Sequence, residues 1–380
     1  MIDILLTNGL SLESNHDNLN KFYTAISEMY FYNSFFRKIT QISQVPMKQL
    51  TFCLLWMSLV GLTGCQHFKT SEPQAAQMVT DARAQFEKVP FAQIKTVEQR
   101  PVVALVLGSG GARGYAHIGV IEVLEQQGIR PDFIVGTSAG SIVGSIYASG
   151  KSAKELRSIA LNMKATDVRD ITLDMKGFFD GKKVEDYINQ QVDNMPLEKM
   201  KIPFYAVATE LKEGARTVFN YGNTGQAVRA SASIPSMFIP TRIGDKEYVD
   251  GGLTSPVPVE VARDLGADII IAVDILAQPT HTETSNVWGL FNQNINIMQN
   301  RLANEELKYA DIVIQPDLRE KAHIFDVRGR EASMQAGREA TLEKLEMIEL
   351  AIETKHNNQQ RDDQKNLTAL NDTAAVKTNR

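Results

Sequence analysis

The sequence predicts an α/β fold with three layers, in which helices cover both faces of a mostly parallel central sheet. Short apolar runs typical of buried strands alternate with helical segments through residues 101–355, as in a parallel sheet with crossover helices. Two glycine-rich turns each follow such a run directly. Turns of this kind lie at the carboxyl edge of a parallel sheet, where folds of this class place their functional sites.

The predicted elements follow in order from Pro101. The apolar run Pro101–Leu107 predicts the first strand, and a helical pattern from Tyr115 to Gln127 ends at Gly128. Phe133–Val135 predicts the second strand, and small residues in a helical pattern follow it. Later patterns predict strands at Phe204–Thr209, Arg216–Phe219, Lys246–Asp250, Asp268–Asp274 and Asp311–Gln315, and helices at Ala227–Ser233, Pro256–Leu265, Val287–Tyr309 and Ser333–Lys355.

Residues 152–200 have a charged, helical pattern, which the segment Lys176–Gly181 interrupts. Phe178 and Phe179 lie in it, and because large aromatic side chains are mostly buried, we expect both in the core. A loop near the mouth of a substrate site is the alternative.

Composition excludes several classes of protein. The 380 residues are 43% hydrophobic and 22% charged, with a formal net charge of −5, and no long basic run points to nucleic acid. The two cysteines, Cys53 and Cys65, both lie near an apolar segment in the first part of the chain. The remaining residues therefore have no disulfide framework, cysteine nucleophile or cysteine zinc site.

A serine stands in the second glycine-rich turn, Gly136-Thr-Ser-Ala-Gly140. In a G-x-S-x-G elbow the serine occupies a strained strand-to-helix turn, with its hydroxyl exposed at a helix N-terminus. A side chain at Gly136 or Gly140 would collide with the neighbouring strand or helix. The context favours Ser138 as a nucleophile over an ordinary glycine- and serine-rich turn.

The first turn, Gly108-Ser-Gly-Gly-Ala-Arg-Gly114, offers what such a serine needs. The backbone N–H groups of Gly110 and Gly111 are candidate donors to an oxyanion, and Arg113 adds positive charge. A dinucleotide loop is the rival interpretation, although Arg113 stands where its third glycine belongs. A Walker-type phosphate loop is excluded because no G-K-[ST] follows.

The candidate bases for Ser138 are three histidines and one aspartate that follow it in the sequence. His281, His323 and His356 follow the serine, but none stands in a convincing turn after a strand. Asp250 ends a strand and precedes Gly251 and Gly252, so its carboxylate is placed at the sheet edge with room around it. An aspartate in an ordinary strand-end turn is the alternative.

These motifs, taken in order, resemble the patatin-like phospholipases. The resemblance spans residues 101–275 and includes Ala230-Ser-Ala-Ser-Ile-Pro-Ser-Met-Phe-Ile-Pro240 before the aspartate. It implies a patatin-like fold, a Ser138–Asp250 dyad without histidine, and an oxyanion region at Gly110, Gly111 and Arg113. One departure is Ser109, which stands where the family's loop motif begins with glycine.

The resemblance is nearest to bacterial members related to neuropathy target esterase, and it implies a function. We expect a serine acyl-ester hydrolase of phospholipase A or lysophospholipase type, acting on membrane lipids without calcium, other metals or cofactors. An α/β-hydrolase with a Ser-Asp-His triad is one alternative. A non-enzymatic lipoprotein that binds lipid or nucleotide through its glycine loop is the other.

An apolar segment before Cys65 predicts a membrane anchor. Met47-Lys48, a short apolar core to Leu62 and small residues are typical of a signal peptide, and the core is too short to span a bilayer. Leu62-Thr-Gly-Cys65 resembles a bacterial lipobox, which implies a lipid on Cys65. With Gln66 next, we expect an outer-membrane lipoprotein facing the periplasm. An ordinary signal peptide or a buried core helix is the alternative.

Five segments follow from these predictions. Residues 1–46 are interpreted as a non-native upstream extension, or else a true extension before an internal anchor, and residues 47–64 as the lipoprotein signal peptide. Residues 65–100 are interpreted as a tether with a helix near Ala75–Phe86, and residues 101–355 as the catalytic domain. Residues 356–380, rich in Asn, Gln, Asp and Lys without apolar period, are predicted to be disordered.

Overall fold

The structure of the chain, a computed structural model, describes residues 81–85, 91–172, 174, 176–279, 285, 287–318 and 329–378. All of these belong to one compact unit, residues 76–380. The predicted extension at 1–46, the signal peptide and Cys65 lie outside the described residues. Of the helices formed by described residues, none combines the length and apolar character needed to cross a bilayer.

The centre of this unit is one mixed sheet of eight strands. In chain order the strands are β1 (Val103–Leu107), β2 (Phe133–Thr137), β3 (Phe204–Glu210), β4 (Arg216–Phe219), β5 (Thr241–Ile243), β6 (Lys246–Asp250), β7 (Ile269–Val273) and β8 (Ile312–Ile314). They lie in the order β5-β6-β3-β2-β1-β7-β8, and β4 also pairs with β3. The strands β3, β2, β1, β7 and β8 are parallel, which confirms the mostly parallel sheet.

Nine α-helices in the described residues surround this sheet. They are α1 (Tyr115–Gln126), α2 (Ala139–Ala148), α3 (Ala153–Asn162), α4 (Ala165–Val168), α5 (Lys182–Gln191), α6 (Thr224–Ser231), α7 (Val259–Asp264), α8 (Val287–Glu306) and α9 (Arg330–Thr378). The short α4 and the strand β5 are details that the sequence pattern did not predict, whereas the break before α5 contains the predicted interruption around Phe178 and Phe179.

Alternating side chains of β1 divide the core between the two faces of the sheet. Leu105 and Leu107 pack with residues of α1, α2 and α3 on one face, and Ala104 and Val106 pack with residues of α7 and with Phe133 on the other. A strand buried on both faces is apolar without interruption, as this one is. The predicted three-layer α/β/α architecture is therefore present.

Helix α9 differs from the prediction at the end of the chain. It continues from Arg330 to Thr378, so the structure shows helix where residues 356–378 were predicted to be disordered. Arg338 anchors the first part of α9 on α1 by donating to Glu122 at 2.9 Å. Once a packed helix exists, extending it needs no new nucleus, and Gln, Lys, Arg and Ala are good helix formers even without an apolar stripe.

Two other predictions are corrected. Residues 81–85 are not helical, because Arg83 forms a bridge with Tyr221, so the helix predicted near Ala75–Phe86 does not include them. Phe178 is not in the core but is 62% exposed. Phe179 is half-buried, with its ring centroid 5.6 Å from that of Phe238.

Candidate active site

Ser138 stands in a strained turn between β2 and α2. Its φ of 54° and ψ of −116° are unfavourable for a residue with a side chain, and strain of this kind is typical of functional positions. A Cβ on Gly140 would lie 2.0 Å from the Leu107 carbonyl oxygen, and one on Gly136 would lie 2.6 Å from that of Gly140. The elbow therefore needs both glycines for close approach of its backbone, as the sequence predicted.

Hydrogen bonds on both sides hold the Ser138 backbone in this conformation. Its N–H donates to the Ser231 hydroxyl at 2.9 Å, and that hydroxyl donates to the Val207 carbonyl at 2.6 Å. The Ser138 carbonyl accepts from the Ser141 N–H at 2.9 Å. These bonds link β3 and α6 to the elbow and offset its strain. Ser231 lies in the segment Ala230–Pro240 that resembles the patatin-like phospholipases, but no sequence pattern indicates this role for it.

The Ser138 hydroxyl donates to Asp250 Oδ2 over 2.6 Å, and both residues are buried. The sheet register explains the meeting. Thr137 pairs with Val207 on β3, and the next residue of β3, Ala208, pairs with Asp250 on β6. The serine and the aspartate therefore reach the same level of the sheet although 112 positions separate them.

The environment of Asp250 makes it more basic than an ordinary aspartate. Burial raises the pKa of Asp250 from 3.8 to about 6, although hydrogen bonds from Ser138 and from the Gly252 N–H act in the opposite direction. The Gly252 N–H donates to Oδ1 at 2.7 Å, which orients the other oxygen towards the serine. A Cβ on Gly251 would lie 2.1 Å from the Val207 carbonyl oxygen, so the turn after Asp250 packs closely on β3.

The glycine loop lies between Ser138 and the end of β7. The N–H groups of Gly108 and Ser109 donate to the carbonyls of Val273 and Pro256 at 3.0 and 2.8 Å. Those of Gly110 and Gly111 donate to no other group within the described part of the chain. Gly111 and Gly114 also line the cavity that Ser138 faces, so the loop presents backbone donors there.

Arg113 occupies a different position from the one expected of an oxyanion donor. Its Nε–H donates to the Ile275 carbonyl at 2.8 Å, and the nearby Asp274 carboxylate opposes the burial that lowers the pKa of Arg113 to about 10. These contacts fasten the glycine loop to the chain after β7. Arg113 therefore supports the loop through Ile275 and Asp274, and these contacts do not support the direct role at the oxyanion.

His117 precedes the serine, so the chain order Ser, Asp, His of a triad does not point to it. It is fully buried, its Nε2 lies 2.9 Å from the Gly108 carbonyl oxygen, and burial lowers its pKa to about 4. The described His356 lies on α9 beside Gln360, while His281 and His323 fall outside the described residues. No cluster of three His, Cys, Asp or Glu in the described segments is arranged to hold a metal ion.

An apolar cavity of about 160 Å³ opens at Ser138. Residues of α2 line it at helical spacing, and residues from α1, α3, α4, α5, α6 and the loop after α6 form other parts of the wall. Ala139, Ile142, Val143 and Ile146 form the α2 part of that wall. The one ionic side chain in the wall, Arg229, is neutralised by Asp180 at 2.5 Å and Glu185 at 3.1 Å. The cavity therefore suits an apolar chain next to the serine.

Residues 105–263 match the family model of the patatin-like phospholipases. The chain therefore contains a patatin-like phospholipase domain. An uncharacterised NTE family protein of Mycobacterium tuberculosis (strain H37Rv) is 36% identical over 177 residues, which cover 46% of this chain and 49% of that protein. Human patatin-like phospholipase domain-containing protein 6 is 31% identical over 244 residues, covering 60% of this chain and 17% of the human protein.

Solved structures resemble the patatin-like chain more distantly. VipD from Legionella pneumophila gives a TM-score of 0.38 at 14% identity, over 65% of this chain and 67% of that one. ExoU of Pseudomonas aeruginosa in complex with SpcU gives 0.40 at 13% identity, over 67% and 53% of the two chains. Similarity at this level carries no functional assignment. The chain spans about half the length of its mycobacterial relatives.

Proposed function

We propose that this patatin-like phospholipase hydrolyses acyl esters of membrane phospholipids or lysophospholipids through a Ser138–Asp250 dyad. The observation that carries the proposal is the 2.6 Å hydrogen bond from the Ser138 hydroxyl to a buried carboxylate, at the mouth of an apolar cavity. Because Asp250 accepts the serine proton directly, the scheme needs no histidine.

In the first half of the reaction, Ser138 Oγ attacks the ester carbonyl carbon while its proton passes to Asp250 Oδ2. The carbonyl oxygen becomes an oxyanion and accepts hydrogen bonds from the N–H groups of Gly110 and Gly111. The tetrahedral intermediate then collapses, the bond to the leaving alcohol breaks, and the protonated Asp250 donates its proton to that alcohol. The product is an acyl group on Ser138.

In the second half, water takes the place of the serine hydroxyl. Asp250 accepts a proton from the water, and the resulting oxygen nucleophile attacks the acyl carbonyl. When the second intermediate collapses, the proton returns to Ser138 Oγ and the fatty acid leaves. A raised pKa suits Asp250 to both roles, because the carboxylate must accept a proton and release it near neutral pH.

The cavity supports a lipid substrate over a small polar ester. Its wall along α2, from Ala139 to Ile146, begins at the nucleophile and offers only apolar side chains to a ligand. Burying an acyl chain there contributes about 0.8 kcal/mol per methylene group. The acyl chain therefore has a place inside the protein, while the alcohol and head group remain on the side of the glycine loop.

We further propose that a lipid on Cys65 anchors the catalytic domain to the bacterial outer membrane, on the side facing the periplasm. The lipobox-like Leu62-Thr-Gly-Cys65 supports this placement. Mass spectrometry of the mature N-terminus tests it. We expect an acylated Cys65 as the first residue, and an unmodified chain that begins elsewhere excludes the anchor.

The decisive experiment compares Ser138→Ala, Asp250→Asn and the double variant on a phospholipid and on a soluble short-chain ester. Each single change is expected to reduce kcat by about 10²–10⁴, and the double variant to be little worse because the two residues act as one unit. A fluorophosphonate should label Ser138 rapidly in the wild type and slowly in Asp250→Asn.

Two controls distinguish the alternatives. His281→Ala and His323→Ala should retain most activity, so a loss there with full activity in Asp250→Asn replaces the dyad by a histidine triad. Lipid binding by a wild type that hydrolyses no ester identifies instead a non-enzymatic lipid-binding protein.

A further inference from the structure

The segment above the cavity has two unlike sides. Residues 163–172 and 176–181, here called the cap, connect α3 to α5. On the inner side, Met163, Ala165, Val168 and Gly181 line the cavity. On the outer side, Ile171 is 85% exposed and Phe178 is 62% exposed. Phe178 has no role in the proposed chemistry, although its exposure is unusual for a large aromatic side chain.

The exposed side chains are held in place by the backbone. The Thr172 N–H donates to the Phe178 carbonyl at 2.9 Å, and Ile171 pairs with Phe179 in a two-residue bridge. The N–H groups of Phe178 and Phe179 both donate to the Met237 carbonyl, at 2.8 and 2.9 Å. The backbone positions of both Ile171 and Phe178 are therefore fixed by hydrogen bonds, while their side chains stay in solvent.

The cap is also fastened to α5 and α6 by a partly buried charge network. Arg229 on α6 donates to the Asp180 carboxylate at 2.5 Å and to Glu185 on α5 at 3.1 Å. Asp170 in turn accepts from the N–H of Gly181 at 2.8 Å. Two large apolar side chains kept in solvent by so many contacts indicate a surface that another apolar body covers.

Charge around the cap indicates the chemistry of that body. Lys176 is paired with Glu247 at 2.9 Å, and Lys182 is paired with Glu185 at 2.7 Å and with Asp186 at 2.8 Å. The cap as a whole carries as many anions (Asp167, Asp170 and Asp180) as cations (Lys164, Arg169 and Lys176), so its net charge gives no strong attraction for an anionic partner. An apolar patch with balanced charges suits the zwitterionic surface of a phosphatidylcholine bilayer.

Continuity with the cavity favours a lipid surface over a protein partner. The same short segment that exposes Ile171 and Phe178 forms the wall of the acyl cavity through Val168 and Gly181. A lipid that leaves a bilayer at the outer side of the cap would pass the apolar cap residues that line the cavity on its way to Ser138. We propose that Ile171 and Phe178 insert into the lipid surface from which the substrate is drawn, an inference that rests on the proposed function.

The test places a fluorescent reporter in the cap of the full-length chain. Phe178→Trp is compared with Leu350→Trp, because Leu350 on α9 is 61% exposed and matches Phe178 in exposure. Both carry Ser138→Ala, and the signal of the two native tryptophans, Trp56 and Trp288, is subtracted with the parent protein. The vesicles are phosphatidylcholine with brominated acyl chains, which quench indole only at contact.

We expect quenching and a blue shift of the Phe178→Trp reporter but not of the Leu350→Trp reporter. Quenching reports where the reporter lies, so other membrane attachments of the chain do not change the answer. Equal quenching at the two positions, or none at position 178, overturns the proposal.

A second measurement follows hydrolysis in the chain with an intact Ser138. The double variant Ile171→Ser/Phe178→Ser should lower the rate on dilute vesicles relative to the rate on a soluble short-chain ester by about tenfold or more. Leu350→Ser should leave this ratio unchanged. An unchanged ratio in the double variant also overturns the proposal, whereas a protein that hydrolyses neither substrate but keeps the quenching difference refutes only the proposed function.

Discussion

Two aspartates at the same edge of the sheet have nearly the same surroundings and different partners. Asp250 ends β6 and Asp274 follows β7, and both are 3% exposed. Each carboxylate accepts the N–H of the residue two positions later, at 2.7 Å from Gly252 and 3.0 Å from Leu276. Burial raises the pKa of both.

The two aspartates differ in the donor to their second carboxylate oxygen and in whether a cation lies near the carboxylate. Asp274 accepts from the Gln315 amide at 2.8 Å and lies near the guanidinium of Arg113, whereas Asp250 accepts from the Ser138 hydroxyl and has no cation among the causes of its pKa shift. A compensated carboxylate is a structural anchor. An uncompensated one bonded to a hydroxyl remains able to take a proton, so charge compensation separates structure from chemistry here.

The largest expected effect is on the rate. Asp250→Asn should lower kcat by about 10²–10⁴ because it removes the proton acceptor, while Asp274→Asn should lower it less than about tenfold because it disturbs only the support of the glycine loop. Initial rates on a soluble ester, with circular dichroism to confirm folding, make the comparison. Similar losses in both variants would show that the two aspartates are not functionally distinct.

The pH dependence of the rate sharpens the same contrast. Asp250 acts as a base only when ionised, so kcat/KM should rise with pH and level off above about 6, the pKa of this group in the folded protein. Below that pH the rate should fall about tenfold per pH unit. Asp274→Asn should leave the midpoint in place, and a midpoint that moves in this variant contradicts the assignment to Asp250.

The free energy of unfolding should rank the two aspartates in the opposite order from the rate, with Asp274 the more important for stability. Asp274→Asn removes the charge that faces the buried Arg113 and weakens the contact with Gln315, so we expect a loss of about 1–3 kcal/mol at pH 7. Urea unfolding measures it. An Arg113→Met/Asp274→Asn double variant, in which neither charge remains, should recover part of that loss, and a loss larger than the sum of the single changes would argue against the pairing.

The smallest expected effect concerns Asp250 and stability. Because its pKa is raised in the folded state, this group favours folding below its unfolded pKa of 3.8, and that contribution is lost as pH rises through about 6. Raising the pKa from 3.8 to about 6 costs the folded protein about 3 kcal/mol at pH 7. Asp250→Asn should recover about 1–2 kcal/mol of this, because the amide forms weaker hydrogen bonds than the carboxylate, and should recover less than about 1 kcal/mol at pH 4. A gain that persists at pH 4 would have another origin than ionisation.

Much of the site followed from local sequence because its geometry is local. The glycines at positions 136 and 140, the loop from Gly108 to Gly114 and the aspartate before two glycines are constraints within a few residues of backbone. The resemblance to the patatin-like phospholipases then implied that Ser138 and Asp250 form a dyad. Their hydrogen bond depends on the register of β2, β3 and β6, which no local pattern specifies.

The rest depends on contacts between distant segments. Arg113 donates to the carbonyl of Ile275, 162 positions later, and the exposure of Phe178 depends on its backbone bond to Met237, so neither could be read from neighbouring residues. The length of α9 was missed for a different reason. An apolar period predicts which part of a helix packs, and it does not predict how far a packed helix extends into solvent.

The wall of the cavity along α2 has one further consequence. Its side chains Ala139, Ile142, Val143 and Ile146 recur with the turns of the helix, and Ile146 lies eight residues, or about 12 Å, along the axis from Ser138. Under the proposed function, the position of each of these side chains along α2 then sets a distance from the nucleophile, against which the length of a bound fatty acid is measured. Side-chain volume at Ile146, and at Ala160 on the adjoining α3, would determine which chain length fits without altering the chemistry at the serine.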